Sequence, residues 1–192
     1  GSMIGVLGLQ GDYHAHGKML DRAGTESRVV KKTEQLEGVD GLIIPGGEST
    51  TLIKLMDAWD FWEPLEEFAA AGKILFGTCA GMIMLAREVI NPPQKSLGLI
   101  DIKVERNSYG RQIDSFEGFG SFHPDGEERE LEMVFIRAPR IVELGDSVQP
   151  LATCRDHCVM ARQGNILVAS FHPELTDDLT VHRYFLEMVD NR

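Results

Sequence analysis

The chain has 192 residues, 43% hydrophobic and 26% charged, and its 30 acidic against 19 basic side chains give a net charge of −11. This is ordinary globular composition at the length of one domain, which excludes a disordered or low-complexity chain. The acidic excess speaks against nucleic acid as a partner, because phosphates are bound by Lys and Arg.

Residues 1–2 read as a cloning scar, and Met3 leads into a core strand rather than a secretory signal. The apolar run 3–9 predicts a strand buried on both faces. Residues 12–23 then place Tyr13, His16, Met19, Leu20 and Ala23 at helical spacing, with Gly24 as the stop. Short strands are expected over 27–30 and 41–44, the second closed by Pro45-Gly46-Gly47. Helices are expected over 48–59 and 62–71. A fourth strand, 73–76, runs into Gly77-Thr78-Cys79-Ala80-Gly81 and an apolar helix over 82–87. The longest apolar stretch, 74–86, is interrupted by Gly77, Thr78 and Gly81 and falls short of a membrane span, which needs about 20 residues. Strands alternating with helices imply βαβ units and a parallel sheet.

Beyond residue 100 the pattern changes. The runs 100–105, 133–137, 151–154, 158–161 and 166–171 are strand-like, and short connections such as Arg155-Asp156-His157 permit antiparallel hairpins but not crossovers. The polar segment 119–130 reads as an exposed loop. Residues 177–190 read as a closing helix capped by Thr176 or Asp177, with Leu179, Phe185, Leu186 and Val189 inward. The expectation is a single α/β domain over 3–192, with a mixed, mostly parallel sheet flanked by helices on a flavodoxin-like plan.

The sharpest chemical signal is Gly77-Thr78-Cys79-Ala80-Gly81 between an apolar strand and an apolar helix. Small residues on both sides of a central nucleophile allow a tight strand-to-helix turn that pushes one side chain outward, here a thiol. A helix N-terminus favours thiolate, and backbone N–H groups at such a turn face a developing oxyanion. A buried cysteine packed as a small hydrophobe is the alternative for this residue taken alone. Among six histidines, His172 is the best base, because it follows the strand 166–171 as Cys79 follows its own. In extended chain, residues two apart point the same way, so Glu174 of Phe171-His172-Pro173-Glu174 can orient that imidazole. A surface turn is the alternative there.

Pro45-Gly46-Gly47-Glu48-Ser49-Thr50-Thr51 can present a backbone N–H to an oxyanion, with Ser49 capping the next helix and Glu48 favouring its dipole. It is not a phosphate-binding P-loop. Cys154 and Cys158 read as a reduced pair facing each other across a hairpin rather than a metal site, which would want four ligands. His14, His16 and His182 lie on expected helices, without a trusted partner. Three cysteines make no disulfide framework, which points to a reducing cytoplasm.

These motifs in this order resemble the class I, triad-type glutamine amidotransferases, and within them the glutaminase subunits of pyridoxal 5′-phosphate synthases. The narrower resemblance rests on Gly46-Gly47-Glu48-Ser49-Thr50, Glu105-Arg106-Asn107-Ser108-Tyr109-Gly110-Arg111-Gln112, Phe135-Ile136-Arg137-Ala138-Pro139 and Phe171-His172-Pro173-Glu174-Leu175-Thr176-Asp177-Asp178. It implies a cytoplasmic glutaminase that converts L-glutamine to glutamate and passes ammonia to a (β/α)8-barrel synthase subunit, with no cofactor, metal, nucleic acid or membrane involved. By the same resemblance Cys79 is the nucleophile, His172 the general base and acid, and Glu174 its orienter. Gly47, Glu48, Ser49, Arg106, Ile136 and Arg137 would bind glutamine, Gly47 and Ala80 would hold the oxyanion, and Gln10 would lie at the partner contact. An arginine suits the substrate carboxylate, since its guanidinium pairs with one in bidentate fashion, and Arg106 is the better placed. The free subunit is expected to be nearly inactive, with the Gly46-Gly47 peptide misoriented until the partner docks. The chain departs from the family at Asp12-Tyr13-His14-Ala15-His16, where a Glu-His pair is usual, and over 119–130.

Overall fold

Four short apolar runs become parallel strands: β1 (Ile4–Leu7), β2 (Ser27–Val30), β3 (Gly41–Ile44) and β4 (Ile74–Thr78). They alternate with helices α1 (Tyr13–Arg22), α2 (Ser49–Ala58), α3 (Trp62–Ala70) and α4 (Ala80–Leu85). The coordinates, a computed structural model, describe residues 2–106 and 115–192. Residues 107–112 of the Glu105–Gln112 motif lie outside the described residues. Downstream come β5 (Ala86–Ile90), β6 (Ile100–Glu105), β7 (Phe116–Phe122), β8 (Arg129–Phe135), β9 (Arg140–Leu144), β10 (Gln149–Cys154), β11 (His157–Gln163), β12 (Ile166–Ala169) and α5 (Thr180–Asp190).

Among the described residues the main sheet runs β2-β1-β3-β4-β12-β11-β10-β7-β8, and β5-β6-β9 form a smaller one. The strand β12 divides the main sheet, because it lies parallel to β4 on one side and antiparallel to β11 on the other. All pairs from β2 to β12 are parallel and all pairs beyond it antiparallel. Consequently β4 and β12 sit side by side at the centre with their carboxyl ends level, Thr78 opposite Ala169. Ligands of parallel sheets gather at such ends.

Alternation along each strand sends side chains to two cores. Leu42, Ile44, Leu75 and Val168 pack with Leu52 and Met56 of α2 and Leu65 of α3. Ile43, Phe76, Leu167 and Ala169 pack on the other face with Leu20 of α1 and Phe185 and Val189 of α5. Phe76 and Phe185 are wholly buried; burying each stabilises the fold by about 1.5–3 kcal/mol. So α1 and α5 share one face, which matters for the site below.

Several expectations need correction. Only the middle of the segment 119–130 is a loop: its two ends belong to β7 and β8, which form an antiparallel hairpin with Phe119 opposite Glu132 and Phe122 opposite Arg129. Its charges and glycines mimic a loop, yet Leu131, Met133 and Phe135 alternate into the core. The helix expected over 82–87 ends at Leu85, and Ala86 starts β5, which pairs with β6. The closing helix begins at Thr180 rather than at 177, and neither Thr176 nor Asp177 caps it. Instead, Asp178 accepts from the N–H and hydroxyl of Thr180 at 2.9 and 2.6 Å. Leu179 and Leu186 are only half-buried, and Val181, His182 and Met188 join Phe185 and Val189 inside. Cys154 pairs with His157 and Cys158 with Thr153, so the two thiols are one register step apart and do not face each other. The turn between them is two residues, Arg155 and Asp156, both at positive φ as the strand twist requires.

Candidate active site

The site is built where β4 ends. Cys79 has φ 49° and ψ −107°, a conformation that costs an L-residue about 1–3 kcal/mol and persists only where packing enforces it. The flanking glycines make that packing possible: a Cβ on Gly77 would lie 2.5 Å from the Gly81 backbone, and one on Gly81 would collide with the Ile44 carbonyl oxygen. The Cys79 N–H donates to Ala169 O at 2.9 Å, which ties the turn to β12.

Three residues past β12, the His172 N–H donates to Val134 O of β8 at 2.8 Å, so the hairpin holds the backbone of this histidine. Its Nε2 lies 3.1 Å from Cys79 Sγ, and its Nδ1 lies 2.8 Å from Glu174 Oε2. Glu174 reaches it differently than expected: Pro173–Leu175 form a 3₁₀ turn, not extended chain. A proline at the start of a helical turn is favourable, and that turn folds the carboxylate back over the imidazole.

The electrostatics follow from burial against hydrogen bonding. Burial alone lowers the His172 pKa, but the hydrogen bonds and charges of Cys79 and Glu174 outweigh it and push it up to about 10. Burial pushes the Cys79 thiol up, opposed by the His172 hydrogen bond and charge. Of the influences on the thiol, burial is the largest, and the two that favour thiolate both come from His172. A thiolate here is stabilised chiefly as the partner of the His172 imidazolium. The thiol itself donates to Ser170 O at 3.2 Å.

A cavity of about 380 Å³ opens over the thiol. Gly47, Glu48, Ser49, Arg106, Ile136 and Arg137 all line it, with Cys79, Ala80 and His172. Glu174, its side chain 1% exposed, lies behind them. Arg106 donates to Thr50 Oγ1 at 3.0 Å and lies 3.8 Å from Glu48 Oε1. Arg137 stands at φ 45°, its N–H donating to Ser115 Oγ at 2.9 Å, and Ile136 beside it is exposed. Glu48, not Ser49, caps α2: its carboxylate accepts from the Thr50 and Thr51 N–H groups at 3.2 and 2.8 Å. Burial opposes its ionisation, but those bonds hold its pKa below the usual value. Ser49 is buried and donates to Gln94 Oε1 instead.

Gln10 lies outside the cavity lining and grips the Gly46–Glu48 turn. Its Nε2 donates to Gly46 O at 3.4 Å, and the Glu48 N–H donates to its Oε1 at 3.1 Å. Gly47 between them has φ 129°, and a Cβ there would lie 2.6 Å from Gln10 Nε2. Because C=O and N–H oppose each other across a trans peptide, the Gly47 N–H points away from Gln10.

Two histidines without a trusted partner in the sequence are also here. His16 and His182 are wholly buried, and His16 Nε2 lies 3.5 Å from Glu174 Oε1. Their one advance signal was a polar ring on the apolar stripe of each helix. Among the described residues no group of three or more His, Cys, Asp or Glu side chains is arranged to hold a metal ion, and no helix is long and apolar enough to cross a membrane.

Known proteins are similar to this chain over nearly its whole length. The pyridoxal 5′-phosphate synthase subunit PdxT of Thermosipho africanus is 54% identical over 186 residues, spanning 97% of this chain and 98% of that one. The protein of the same name from Geobacillus thermodenitrificans is 56% identical, covering 97% of this chain and 94% of its own. A solved structure, described as a crystal structure of glutamine amidotransferase, superposes with a TM-score of 0.90 at 46% identity, covering 97% of this chain and 98% of that one. The family described as the SNO glutamine amidotransferase family matches residues 6–191, from the first strand through the last helix. With sheet order, elbow and closing helix all inside that match, the chain belongs to the SNO glutamine amidotransferase family.

Proposed function

We propose that this chain is the glutaminase subunit of a pyridoxal 5′-phosphate synthase, one domain over residues 3–192 acting in the cytoplasm. It hydrolyses L-glutamine and delivers the ammonia to a (β/α)8-barrel synthase subunit. The observation that carries this reading is the continuous Cys79–His172–Glu174 contact, 3.1 and 2.8 Å, at the wall of a cavity that also holds Glu48 and Arg106. Membership of an amidotransferase family and the names of its relatives support it.

In this reading Cys79 Sγ, as thiolate, attacks the carboxamide carbon of glutamine while the proton resides on His172. Backbone N–H groups at Gly47 and Ala80 stabilise the oxyanion. The C–N bond breaks as His172 gives its proton to the leaving nitrogen, and ammonia departs. Water, deprotonated by His172, then attacks the γ-glutamyl thioester; glutamate leaves and the thiol is restored. Glu174 keeps Nδ1 of the base protonated and offsets the imidazolium charge. Arg106 pairs with the substrate carboxylate and Glu48 with its ammonium, while Ser49, Ile136 and Arg137 complete the walls.

Ammonia released without an acceptor is wasted, so the partner controls the site. Docking sets the Gly46-Gly47 peptide that Gln10 holds. The test is glutamine turnover by the chain with and without its synthase subunit, alongside Cys79→Ala. Turnover that depends on both the partner and the thiol is expected. Full activity of the isolated chain defeats the gating, and turnover surviving Cys79→Ala defeats the mechanism.

A further inference from the structure

The catalytic set does not end at Glu174. One of its oxygens, Oε2, meets His172; the other, Oε1, faces His16 Nε2 of α1 at 3.5 Å, an electrostatic contact in which neither atom has a hydrogen-bond partner among the described residues. His16 Nδ1 lies 2.9 Å from His182 Nε2 of α5. All three side chains are buried, His16 and His182 completely. Three separate elements thus bring a carboxylate and two imidazoles into line behind the base.

The chemistry gives this line a direction. Burial lowers the pKa of His16 well below its ordinary value, with the charges of His182 and His172 adding to the effect, and burial lowers that of His182 to about 4. Both rings are therefore neutral near pH 7, each with one N–H and one lone pair. A carboxylate only accepts, so the His16 nitrogen facing Glu174 must carry the proton. His16 Nδ1 is then the acceptor, and His182 Nε2 donates to it. The opposite tautomers would aim a lone pair of His16 at a carboxylate oxygen in a buried site. The assignment leaves His182 Nδ1 as a bare acceptor without a hydrogen-bond partner among the described residues, while His16 Nε2 and Glu174 Oε1, likewise without one, face each other at 3.5 Å. A buried acceptor left unpaired is better tolerated than a buried donor.

We propose that His16 and His182 are positioning residues of the glutaminase: His182 orients the His16 ring so that its N–H dipole faces the second oxygen of Glu174 across 3.5 Å, which favours Oε2 staying on His172 through the reaction. This rests on the glutaminase reading above. Held by Oε2 alone, Glu174 can rotate off Nδ1; with the His16 N–H dipole facing Oε1, rotation is disfavoured and the counter-charge to the imidazolium stays in place. The groups facing His16 are Glu174 of the 3₁₀ turn and His182 of α5, with His172 beyond.

The first measurement needs no variant. Side-chain ¹H–¹⁵N correlation spectra of the labelled full chain near neutral pH are expected to show His16 and His182 as neutral Nε2–H tautomers. A charged ring, or an Nδ1–H tautomer at His16, overturns the proposal. The second compares His16→Leu, which removes the donor, with His16→Gln, whose amide restores one. With the synthase subunit present, His16→Leu is expected to lower kcat about tenfold at nearly constant KM, and His16→Gln to recover most of it. In the full chain alone, the acid limb of Cys79 alkylation by iodoacetamide, followed by peptide mapping, should move up by about one pH unit in His16→Leu and return in His16→Gln. Equal losses in both variants with an unmoved alkylation profile mean that His16 is only core, and overturn the proposal. No glutamine turnover by the parent with its partner overturns the glutaminase reading instead, and the tautomer and alkylation readouts still decide the positioning line.

Discussion

Cys79 Sγ and His172 Nε2 lie 3.1 Å apart although 93 positions separate them in the chain. The cause is the register of two central strands: β4 and β12 run parallel with Thr78 level with Ala169, so the residues that follow each strand emerge together. The Cys79 N–H bond to Ala169 O and the His172 N–H bond to Val134 O then fix both backbones.

Replacing Glu174 with Gln keeps the shape of the side chain and removes its charge. The imidazolium at His172 loses its counter-charge, and the amide can favour the wrong tautomer. Partner-stimulated kcat is expected to fall by about 10³–10⁴-fold with KM little changed. Steady-state glutamate release measures it; a loss below tenfold would mean that Glu174 does not orient the base.

The stability of the fold should carry the signature of His172. Its pKa is pushed up to about 10 from 6.5. A group raised in the folded state stabilises it fully below the unfolded value, and that contribution is lost as pH rises through the folded one. Between pH 6.5 and about 10, the unfolding free energy of the parent should therefore fall more steeply than that of His172→Ala. Urea titrations of both proteins at the two ends of this window check the sign; equal slopes contradict it.

Arg106 is held by Thr50 and Glu48 at the cavity wall, its side chain 15% exposed. If it pairs with the glutamine carboxylate, Arg106→Ala removes a charge-assisted bond made in ground and transition state alike. The expected result is a KM about 10- to 100-fold higher with kcat largely kept. A fall in kcat at unchanged KM would assign Arg106 to the chemistry instead.

Gly81→Ala tests the elbow. The added methyl meets the backbone carbonyl of Ile44, which cannot swing aside as a side chain can. A loss of about 1–3 kcal/mol in unfolding free energy is expected, together with glutaminase activity, since Cys79 moves with the turn. An alanine variant with unchanged urea midpoint would show the approach to be slack.

Gln10→Ala removes both side-chain bonds to the Gly46–Glu48 turn. The partner-stimulated rate should drop by about tenfold, as each such bond contributes roughly 1 kcal/mol, while binding of the synthase is only weakened. Sedimentation or calorimetry separates the two effects. Loss of binding with full turnover at saturating partner would make Gln10 a contact residue alone.

Much of this was legible in short segments. The strands 27–30 and 41–44 fall where hydrophobic runs and Gly/Pro punctuation put them. The elbow was readable because its requirement is local: small residues must flank a nucleophile at a tight turn. The hairpin β7–β8 was not, since its glycines and charges read as loop and only its pairing reveals Leu131 and Met133 as core. The cap of α2 differs from the expected Ser49 by one residue, because the Glu48 side chain is long enough to accept from the Thr50 and Thr51 N–H groups.

The sequence by itself determined the βαβ order, the thiol-bearing turn and the types of residue available for acid–base work, because steric and hydrophobic preferences act over a few neighbours. Only the tertiary structure decided which of those residues touch. The 3₁₀ turn at Pro173–Leu175 aims Glu174, and packing of α1 and α5 on one sheet face brings His16 and His182 together across 166 positions. Such contacts depend on sheet order and helix placement, which the whole chain sets together and no local segment encodes.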